Sequence, residues 1–275
     1  IENSSGTVVR TFDWRDTQPS SFEWDGSNDE DILVPDGIYA YTIEATDRAG
    51  NTGSAEYGNI VKNTEETPIS LKINRSHFSP NGDGNKDTVT LNPDVPVTTG
   101  IEEWSVEVVD ENGRVRRSYS GTEDAPDPID FDGRGDGQNT LPEGSYRARI
   151  EVLYVNGNNP EAESPRFVLD VTPPSVTIKP DTTIFSPNGD GKKDEITFYQ
   201  ETSVEDVWYG RIVREDEEGN VTQVSSFKWL EKAPSSFSWG GRADDGSLAP
   251  DSDSYYYRVV AEDRAGNRGE SRRVR

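Results

Sequence analysis

The sequence predicts an all-β chain built from tandem β-sandwiches, and three observations support this fold class. Short apolar runs alternate with polar residues at period two, as in strands with one buried face. Between these runs stand turn-forming residues, among them 25 glycines and 17 prolines. The phrase Ser-Pro-Asn-Gly-Asp-Gly begins at Ser79 and recurs 107 residues later at Ser186, which indicates a repeat array.

Other landmarks recur at the same offset or close to it. Gly37-Ile38-Tyr39 matches Gly144-Ser145-Tyr146, and the pentapeptide Asp47–Asn51 returns unchanged as Asp263–Asn267. The later landmarks of the last copy are shifted by two residues, which indicates a short insertion near residues 248–253.

These landmarks divide the chain into three units. Residues 1–66 correspond to the C-terminal part of a repeat, and residues 67–171 and 172–275 form two complete repeats. Each complete repeat is long enough for its own hydrophobic core. The incomplete first repeat and the lack of methionine favour an excerpt from a longer repeat protein.

In the third repeat, seven runs read as strands separated by turn signals. Such a pattern is typical of immunoglobulin-like or fibronectin-III-like sandwiches. The predicted strands are Ser175–Lys179, Glu195–Gln200, Val207–Glu215, Asn220–Trp229, Ser235–Trp239, Tyr255–Glu262 and Gly269–Val274.

The sixth of these strands predicts which side chains face the core. Alternation places Tyr255, Tyr257, Val259 and Ala261 on the inner face. Its first tyrosine recurs as Tyr39 and Tyr146. That residue is either a tyrosine corner, whose hydroxyl ties down a loop, or a plain core aromatic.

Composition excludes several classes of partner. The net charge of -24 repels nucleic acid and anionic lipid, and no apolar stretch approaches the length of a membrane span. The sequence contains no cysteine, so it has neither disulfides nor thiolate metal sites. A bound cation would serve as a staple instead.

The two Ser-Pro-Asn-Gly-Asp-Gly loops predict structural Ca²⁺ sites. In the second repeat the oxygen donors stand at every second residue, and the intervening glycines let the loop wrap around a central point. The predicted ligands of this repeat are Asn81, Asp83, Asn85 and Asp87.

The third repeat offers Asn188, Asp190 and Asp194, but Lys192 stands in place of Asn85. A lysine is not a cation ligand, so that side chain is either dispensable or replaced by a backbone carbonyl. If Asn85 matters as a ligand, the site in the third repeat is the weaker one. The alternative is a turn of asparagines and aspartates that holds no ion.

Other features favour structural roles. The acidic loop Asp130–Asp136 reads as a solvated turn, and Asp47–Asn51 and Asp263–Asn267 read as hairpin loops. The single histidine, His77, has no counterpart in the third repeat, and the sequence offers no cysteine nucleophile, so catalysis is not expected.

The tryptophans fall into two groups. Trp24 and Trp239 align with Phe131 and are expected in the core. Trp14 and Trp229 align with Gly121 and are expected to be exposed, where they pack between domains or stack on sugars.

The phrase Trp24-Asp25-Gly26, with Val8–Phe12 before it and Val34–Tyr41 after it, resembles the immunoglobulin-like domain first described in flagellar hook-capping proteins. The loops at Phe78 and Phe185 are similar to those in C-terminal domains of secreted gliding-motility-associated proteins. The resemblance implies a domain that recurs in tandem in bacterial surface and secreted proteins.

These inferences predict a non-catalytic bacterial array, extracellular, on the cell surface or periplasmic, that acts as a stalk, spacer or adhesive module. Ca²⁺ is expected to pin the start of each repeat near its junction, after Thr67-Pro68 and Thr172-Pro173-Pro174. The expected partners are neighbouring repeats and a surface protein or glycan. The alternatives are a carbohydrate-binding or protein-binding accessory module, and a first repeat whose open edge accepts a strand from another chain.

Overall fold

The computed structural model describes residues 1–15, 20–251 and 254–274, and none of these residues lies in a helix. Accordingly, no helix in this part of the chain is long and apolar enough to cross a membrane. Nineteen strands are described, in chain order. They are β1 (Glu2–Asn3), β2 (Gly37–Thr46), β3 (Thr52–Lys62), β4 (Ser70–Ile73), β5 (His77–Phe78), β6 (Val89–Asp94), β7 (Ile101–Asp110), β8 (Val115–Thr122), β9 (Ile129–Phe131), β10 (Gly144–Tyr154), β11 (Glu161–Glu163), β12 (Phe167–Leu169), β13 (Val176–Pro180), β14 (Ile196–Thr202), β15 (Glu205–Glu215), β16 (Val221–Glu231), β17 (Ser236–Trp239), β18 (Ser254–Glu262) and β19 (Arg268–Glu270).

The second repeat is a two-sheet sandwich. A three-stranded sheet, β4-β6-β9, packs on a larger sheet, β5-β12-β10-β7-β8, to which β11 adds by pairing with β10. All described pairs are antiparallel except the short parallel pair β5–β12. One hydrophobic core fills the space between the sheets, with Val106, Ile150 and Phe131 at most 1% exposed. This arrangement confirms the predicted immunoglobulin-like or fibronectin-III-like class.

The third repeat has the same architecture, with β13-β14-β17 facing β16-β15-β18-β19. All seven predicted strands are present, and most bounds shift by one or two residues. The last strand is shorter than predicted, because pairing ends at Glu270 and resumes only at an isolated bridge between Tyr257 and Val274. Tyr257, Val259 and Ala261 are at most 1% exposed, as the alternation predicted.

The first repeat contributes a single three-stranded sheet, β1-β2-β3. Its inner-face residues are less buried than their counterparts, since Tyr41 and Ile43 are half-buried and Ala45 is exposed. No second sheet covers this face within the described part of residues 1–66. No named strand crosses from one predicted unit into the next. The boundary residue Arg275, and residues 252–253 of the expected insertion, lie outside the described residues.

The tyrosine corner is present in all three repeats. The hydroxyl of Tyr39 donates to the carbonyl oxygen of Pro35 at 2.6 Å, and the hydroxyl of Tyr146 donates to that of Pro142 at 2.7 Å. In the third repeat the equivalent bond runs from Tyr255 to Pro250 at 2.6 Å. The same residue is therefore both a packed aromatic and a tie for the preceding turn.

Candidate functional site

The first Ser-Pro-Asn-Gly-Asp-Gly loop is closed by its own carboxylates. Asp87 accepts hydrogen bonds from the backbone amides of Gly82 and Gly84, both at 2.8 Å. Asp83 accepts from the amide of Asn85 at 2.7 Å. The two glycines have φ of 81° and 86°, the left-handed region that side chains disfavour, which explains their place in the motif.

The loop of the third repeat has the same internal bonds. Asp194 accepts from the amides of Gly189 and Gly191 at 2.7 Å, and Asp190 accepts from the amide of Lys192 at 2.8 Å. Asn85 in one loop and Lys192 in the other thus contribute the same backbone amide, so the change from asparagine to lysine leaves this loop geometry intact.

The loops bring together the residues predicted to bind Ca²⁺, and each of these side chains except that of Asn85 caps a backbone amide of its loop. The carboxylate oxygens that cap the loop retain lone pairs, and Asn81 and Asn188 contribute amide oxygens beside them. These are the hard donors that Ca²⁺ accepts, so the residues fit such an ion. Across the described ranges, no group of three or more acidic or histidine side chains forms a metal cluster. Ca²⁺ binding stays a prediction.

The first loop lies against the third repeat. The Ser79 hydroxyl donates to the side-chain oxygen of Asn267 at 2.5 Å, and both residues are at most 1% exposed. The side-chain amide of Asn85 donates to the carbonyl oxygen of Gly266 at 3.0 Å, and a similar bond joins Lys86 to that of Arg264 at 3.0 Å.

This position corrects the expected location of the loop. The sequence predicts that the loop lies at the start of its own repeat, near Thr67-Pro68. In the structure β4 and β5 run toward the opposite end of the sandwich before the loop begins, and β12 leads from that end into the third repeat. The loop is therefore at the junction that follows its repeat.

One asparagine holds the linker at each junction. The side-chain amide of Asn267 donates to the carbonyl oxygen of Asp170 at 2.8 Å, and that of Asn158 donates to the carbonyl oxygen of Glu65 at 2.8 Å. Sequence reasoning missed this role, although the match of Asn158 with Asn51 carried the signal.

The preceding repeat holds the same linkers from the other side. Asp36 accepts from the amide of Thr64 at 2.8 Å and from the ammonium of Lys62 at 2.7 Å. Glu143 accepts from the amide of Val171 and the hydroxyl of Thr172, both at 2.8 Å. The hydrogen bond from Lys62 lowers the pKa of Asp36, followed by that from the Thr64 amide. Each linker is thus bonded to both of its neighbours.

Charges meet in an open cleft at the second junction. Burial raises the pKa of Asp170 against the opposing effect of the Thr172 amide, and repulsion from Asp263 raises it further. Across the cleft, Arg264 forms two 2.9 Å bonds with Asp206, which lower the pKa of that carboxyl. The junction therefore contains one carboxylate, that of Asp170, whose charged form is disfavoured by its surroundings.

In the acidic loop Asp130–Asp136, the aspartates make separate contacts. Asp130 accepts from the Thr90 hydroxyl at 2.6 Å, whereas Asp136 accepts from the amide of Ser118 at 3.0 Å. The two carboxylates support different strands, in agreement with a solvated turn.

The tryptophans are placed partly as predicted. Trp239 is buried, Trp24 is half-buried, and Trp14 is 36% exposed. Trp229 is half-buried and not fully exposed as expected, because its ring lies over Gly210 on the neighbouring strand.

A cavity of about 350 Å³ opens in the third repeat beside Phe185, Trp239 and Tyr255. In the second repeat, Leu169 lies close to Gly133, the counterpart of Gly241 in the lining of this cavity.

Comparison with solved structures finds tandem-repeat and fibronectin-like chains. A tetra-tandem repeat from the extending region of a large adhesion protein is 20% identical over 89% of this chain and 57% of that one, with a TM-score of 0.29. A 1.5-MDa bacterial ice-binding adhesin is 17% identical over 76% and 63%, with a TM-score of 0.41. The fibronectin(III)-like modules of CbhA from Clostridium thermocellum are 13% identical over 73% and 92%, with a TM-score of 0.34.

The chain spans less than two thirds of the two adhesin chains. A search of curated proteins finds no match. The family model of the FlgD Ig-like domain matches residues 1–49, which lie within the first repeat.

Proposed function

We propose that the chain is a non-catalytic spacer segment of a bacterial surface, secreted or periplasmic protein, in which bonded junctions hold successive sandwiches in a fixed orientation. The observation that carries this proposal is the bonding of each linker to both neighbouring repeats. A flexible linker is expected to be solvated along its backbone, whereas these linkers are held by Asp36 and Asn158 at one junction and by Glu143 and Asn267 at the other.

The second junction supports the proposal further, because it adds direct contact between domains. Ser79 and Asn267 are buried against each other, and four side chains of the loop bond to the hairpin of the next repeat. Buried polar contacts of this kind are directional, so they favour one relative orientation. The proposal predicts a narrow distribution of distances between repeats.

Spin labels can measure this distribution, since the chain contains no native cysteine. Glu111→Cys and Glu217→Cys place labels on exposed turns at equivalent positions of the second and third repeats. Pulsed dipolar spectroscopy should give one narrow peak, which broadens at least twofold when Ser79→Ala and Asn267→Ala are added. The matched control is Asn112→Ala, on an exposed turn away from the junction.

A broad distribution in the otherwise unchanged labelled chain would contradict the rigid spacer. It would leave the alternative of an accessory binding module joined by flexible linkers. A glycan array then provides the next test, because a pure spacer gives no reproducible hits and a carbohydrate-binding module does.

The same proposal includes Ca²⁺ bound at the junction. A cation bound in the loop at Asn81–Asp87 would rigidify the segment that contacts the next repeat. The donor set supports this step, and the amide bonds to Asp83 and Asp87 shape the loop around these oxygens.

A further inference from the structure

We propose that one face of the third repeat binds an acidic polysaccharide whose sugar rings carry carboxylates. The face is the outer side of the sheet that contains β15, β16 and β18, and its central residues are Tyr209, Arg211, Lys228 and Arg258. We call it the cationic face. None of these side chains takes part in the junction hydrogen bonds of the described residues, so the inference adds a binding surface to the proposed spacer.

The strand register places the charged residues of the cationic face next to one another. Arg211 on β15 stands directly opposite Arg258 on β18. Two residues along β15, Tyr209 stands opposite Lys228 of β16. Side chains in directly opposite positions have Cβ atoms about 5 Å apart, and like charges placed in this way destabilise a sheet. The two arginines therefore impose an electrostatic cost on the folded third repeat.

The same positions of the second repeat carry opposite charges. Glu107 on β7 stands opposite Arg149 on β10, and the two side chains form an ion pair at 2.8 Å. In the third repeat these positions are held by Arg211 and Arg258, since Arg149 and Arg258 each follow the corner tyrosine by three residues. The exchange of a glutamate for an arginine thus converts an attractive pair into a repulsive one.

The adjacent row of residues changes in the same direction. The second repeat has Ser120 and Glu151 where the third has Lys228 and Val260. The residue between them is a serine in the second repeat and Tyr209 in the third. Across both rows, the third repeat has lost acidic side chains and gained basic and aromatic ones, although the net charge of the chain is -24.

Acidic neighbours compensate only part of this positive charge. Arg258 forms an ion pair with Glu270. Arg211 and Lys228 are exposed, and neither forms an ion pair with another residue of the described part of the chain. An anion in contact with both side chains would offset the repulsion between the arginines. Charge complementarity therefore indicates an anionic partner.

The aromatic ring in the cationic face favours a sugar over an acidic peptide. Tyr209 is 41% exposed and lies beside Lys228 on the neighbouring strand. Such a ring can pack on the flat side of a sugar, while a nearby guanidinium binds a carboxylate through two parallel hydrogen bonds. A polymer of uronic acids offers both groups in every unit. The negative field of the rest of the chain is screened beyond about 8 Å at physiological ionic strength, so a local cationic face can still bind a polyanion.

The experiment titrates polygalacturonate oligomers into the full chain by calorimetry at physiological ionic strength. The test variant is Arg211→Glu/Lys228→Ser, which installs the residues of the second repeat at these positions. We expect the affinity to fall about tenfold or more, because charge-assisted hydrogen bonds are lost. The matched control is Arg48→Glu/Lys192→Ser, which makes the same substitutions at exposed positions outside the cationic face and should bind like the wild type.

The single variant Arg211→Glu separates loss of the site from loss of the fold. It recreates the opposite-charge pair that Glu107 and Arg149 form in the second repeat, so its melting temperature should equal or exceed that of the wild type. Weaker binding by this variant is then a property of a folded protein.

The contribution of the ring is measured with Tyr209→Ala and with a second polymer. The variant should bind polygalacturonate more weakly than the wild type does. Poly-L-glutamate carries carboxylates without sugar rings, so the wild type should bind it more weakly than polygalacturonate.

Equal affinity of the wild type and Arg211→Glu/Lys228→Ser for polygalacturonate would overturn the inference, as would no binding by the wild type. Equal affinity of the wild type for the two polymers would overturn it as well, because the contact would then depend on charge alone. The distances between spin labels test the spacer function separately, since neither label lies on the cationic face.

Discussion

Three tyrosines show how one side chain serves both packing and turn geometry. Tyr39 and Tyr146 are each 4% exposed, and each hydroxyl reaches a proline carbonyl four residues earlier. In the third repeat one extra residue lies between Tyr255 and Pro250, and the bond is retained. The turn can therefore vary in length while the tie persists.

Tyr146→Phe should lower the free energy of unfolding of the second repeat by about 1 kcal/mol, the usual net value of such a hydrogen bond. The ring and its packing remain, so only the bond to Pro142 is lost. Urea unfolding measures the change, with Tyr199→Phe as the control, because that ring is 55% exposed. Equal effects at the two positions would show that the corner contributes no stability.

Tryptophan and glycine are exchanged between the strands of equivalent hairpins. In the second repeat Trp104 lies on β7 and covers Gly121 on β8. In the third repeat the glycine, Gly210, lies on β15 and the tryptophan, Trp229, on β16. The ring-over-glycine contact is kept although the two residues change strands, which indicates that packing volume is the constraint.

Gly121→Ala should destabilise the second repeat by about 1–3 kcal/mol, the usual cost of overpacking. A Cβ at this position would stand 2.5 Å from the Trp104 ring, so the ring must move. Gly53→Ala is the control, since a Cβ there meets no atom within 4 Å. Thermal unfolding distinguishes the two variants. Equal melting temperatures would mean that the Trp104 ring moves aside without loss of stability.

Two kinds of element build the junctions. The loops after β5 and before β19 approach each other across the second junction, and the linker between β12 and β13 passes beside them. The hairpin asparagine repeats at both junctions, whereas direct loop-to-hairpin bonds are described at the second. Elements that are hairpins within one domain thus serve as contacts between domains.

Asp170→Asn should raise the unfolding midpoint at pH 7. Burial and the repulsion from Asp263 raise the pKa of Asp170, so the folded state carries a penalty while the group is charged. Protonation removes that penalty, and the wild type therefore approaches the variant as pH falls through the raised pKa toward 4 and below. The bond from the Thr172 amide can persist, because asparagine keeps an acceptor oxygen.

Urea midpoints at pH 7 and pH 4 measure this convergence. Asp127→Asn removes a charge at an exposed position and controls for the general relief of negative charge. If the difference in urea midpoint between the wild type and Asp170→Asn stays constant with pH, the titration of Asp170 is excluded as its cause.

At the scale of the whole molecule, separate hydrophobic cores are joined by polar contacts. The cores of the second and third repeats share no residue, while their junction consists of hydrogen bonds and a buried serine–asparagine pair. The second and third repeats thus each have a core of their own, and their relative orientation depends on the polar junction.

Calcium is expected to raise the melting temperature of the full chain by several degrees at 5 mM relative to excess EDTA. Asp83→Ala combined with Asp190→Ala should abolish this shift, since it removes one carboxylate from each loop. Asp130→Ala/Asp244→Ala is the matched control, because these aspartates lie outside the loops. Superimposable melting curves with and without Ca²⁺ would reduce the motif to turn chemistry.

The sequence by itself predicted the repeat units, and it determined the strands of the third repeat, the inner face of β18 and the glycine-containing loop turns. These features are local or repeated, so alternation and spacing reveal them. Only the tertiary structure decided that Ser79 meets Asn267, a residue 188 positions away, and that the first loop faces the following repeat. The spacing of repeated residues does not predict how two domains are placed relative to each other. That placement depends on the end of the sandwich at which each strand delivers its loop.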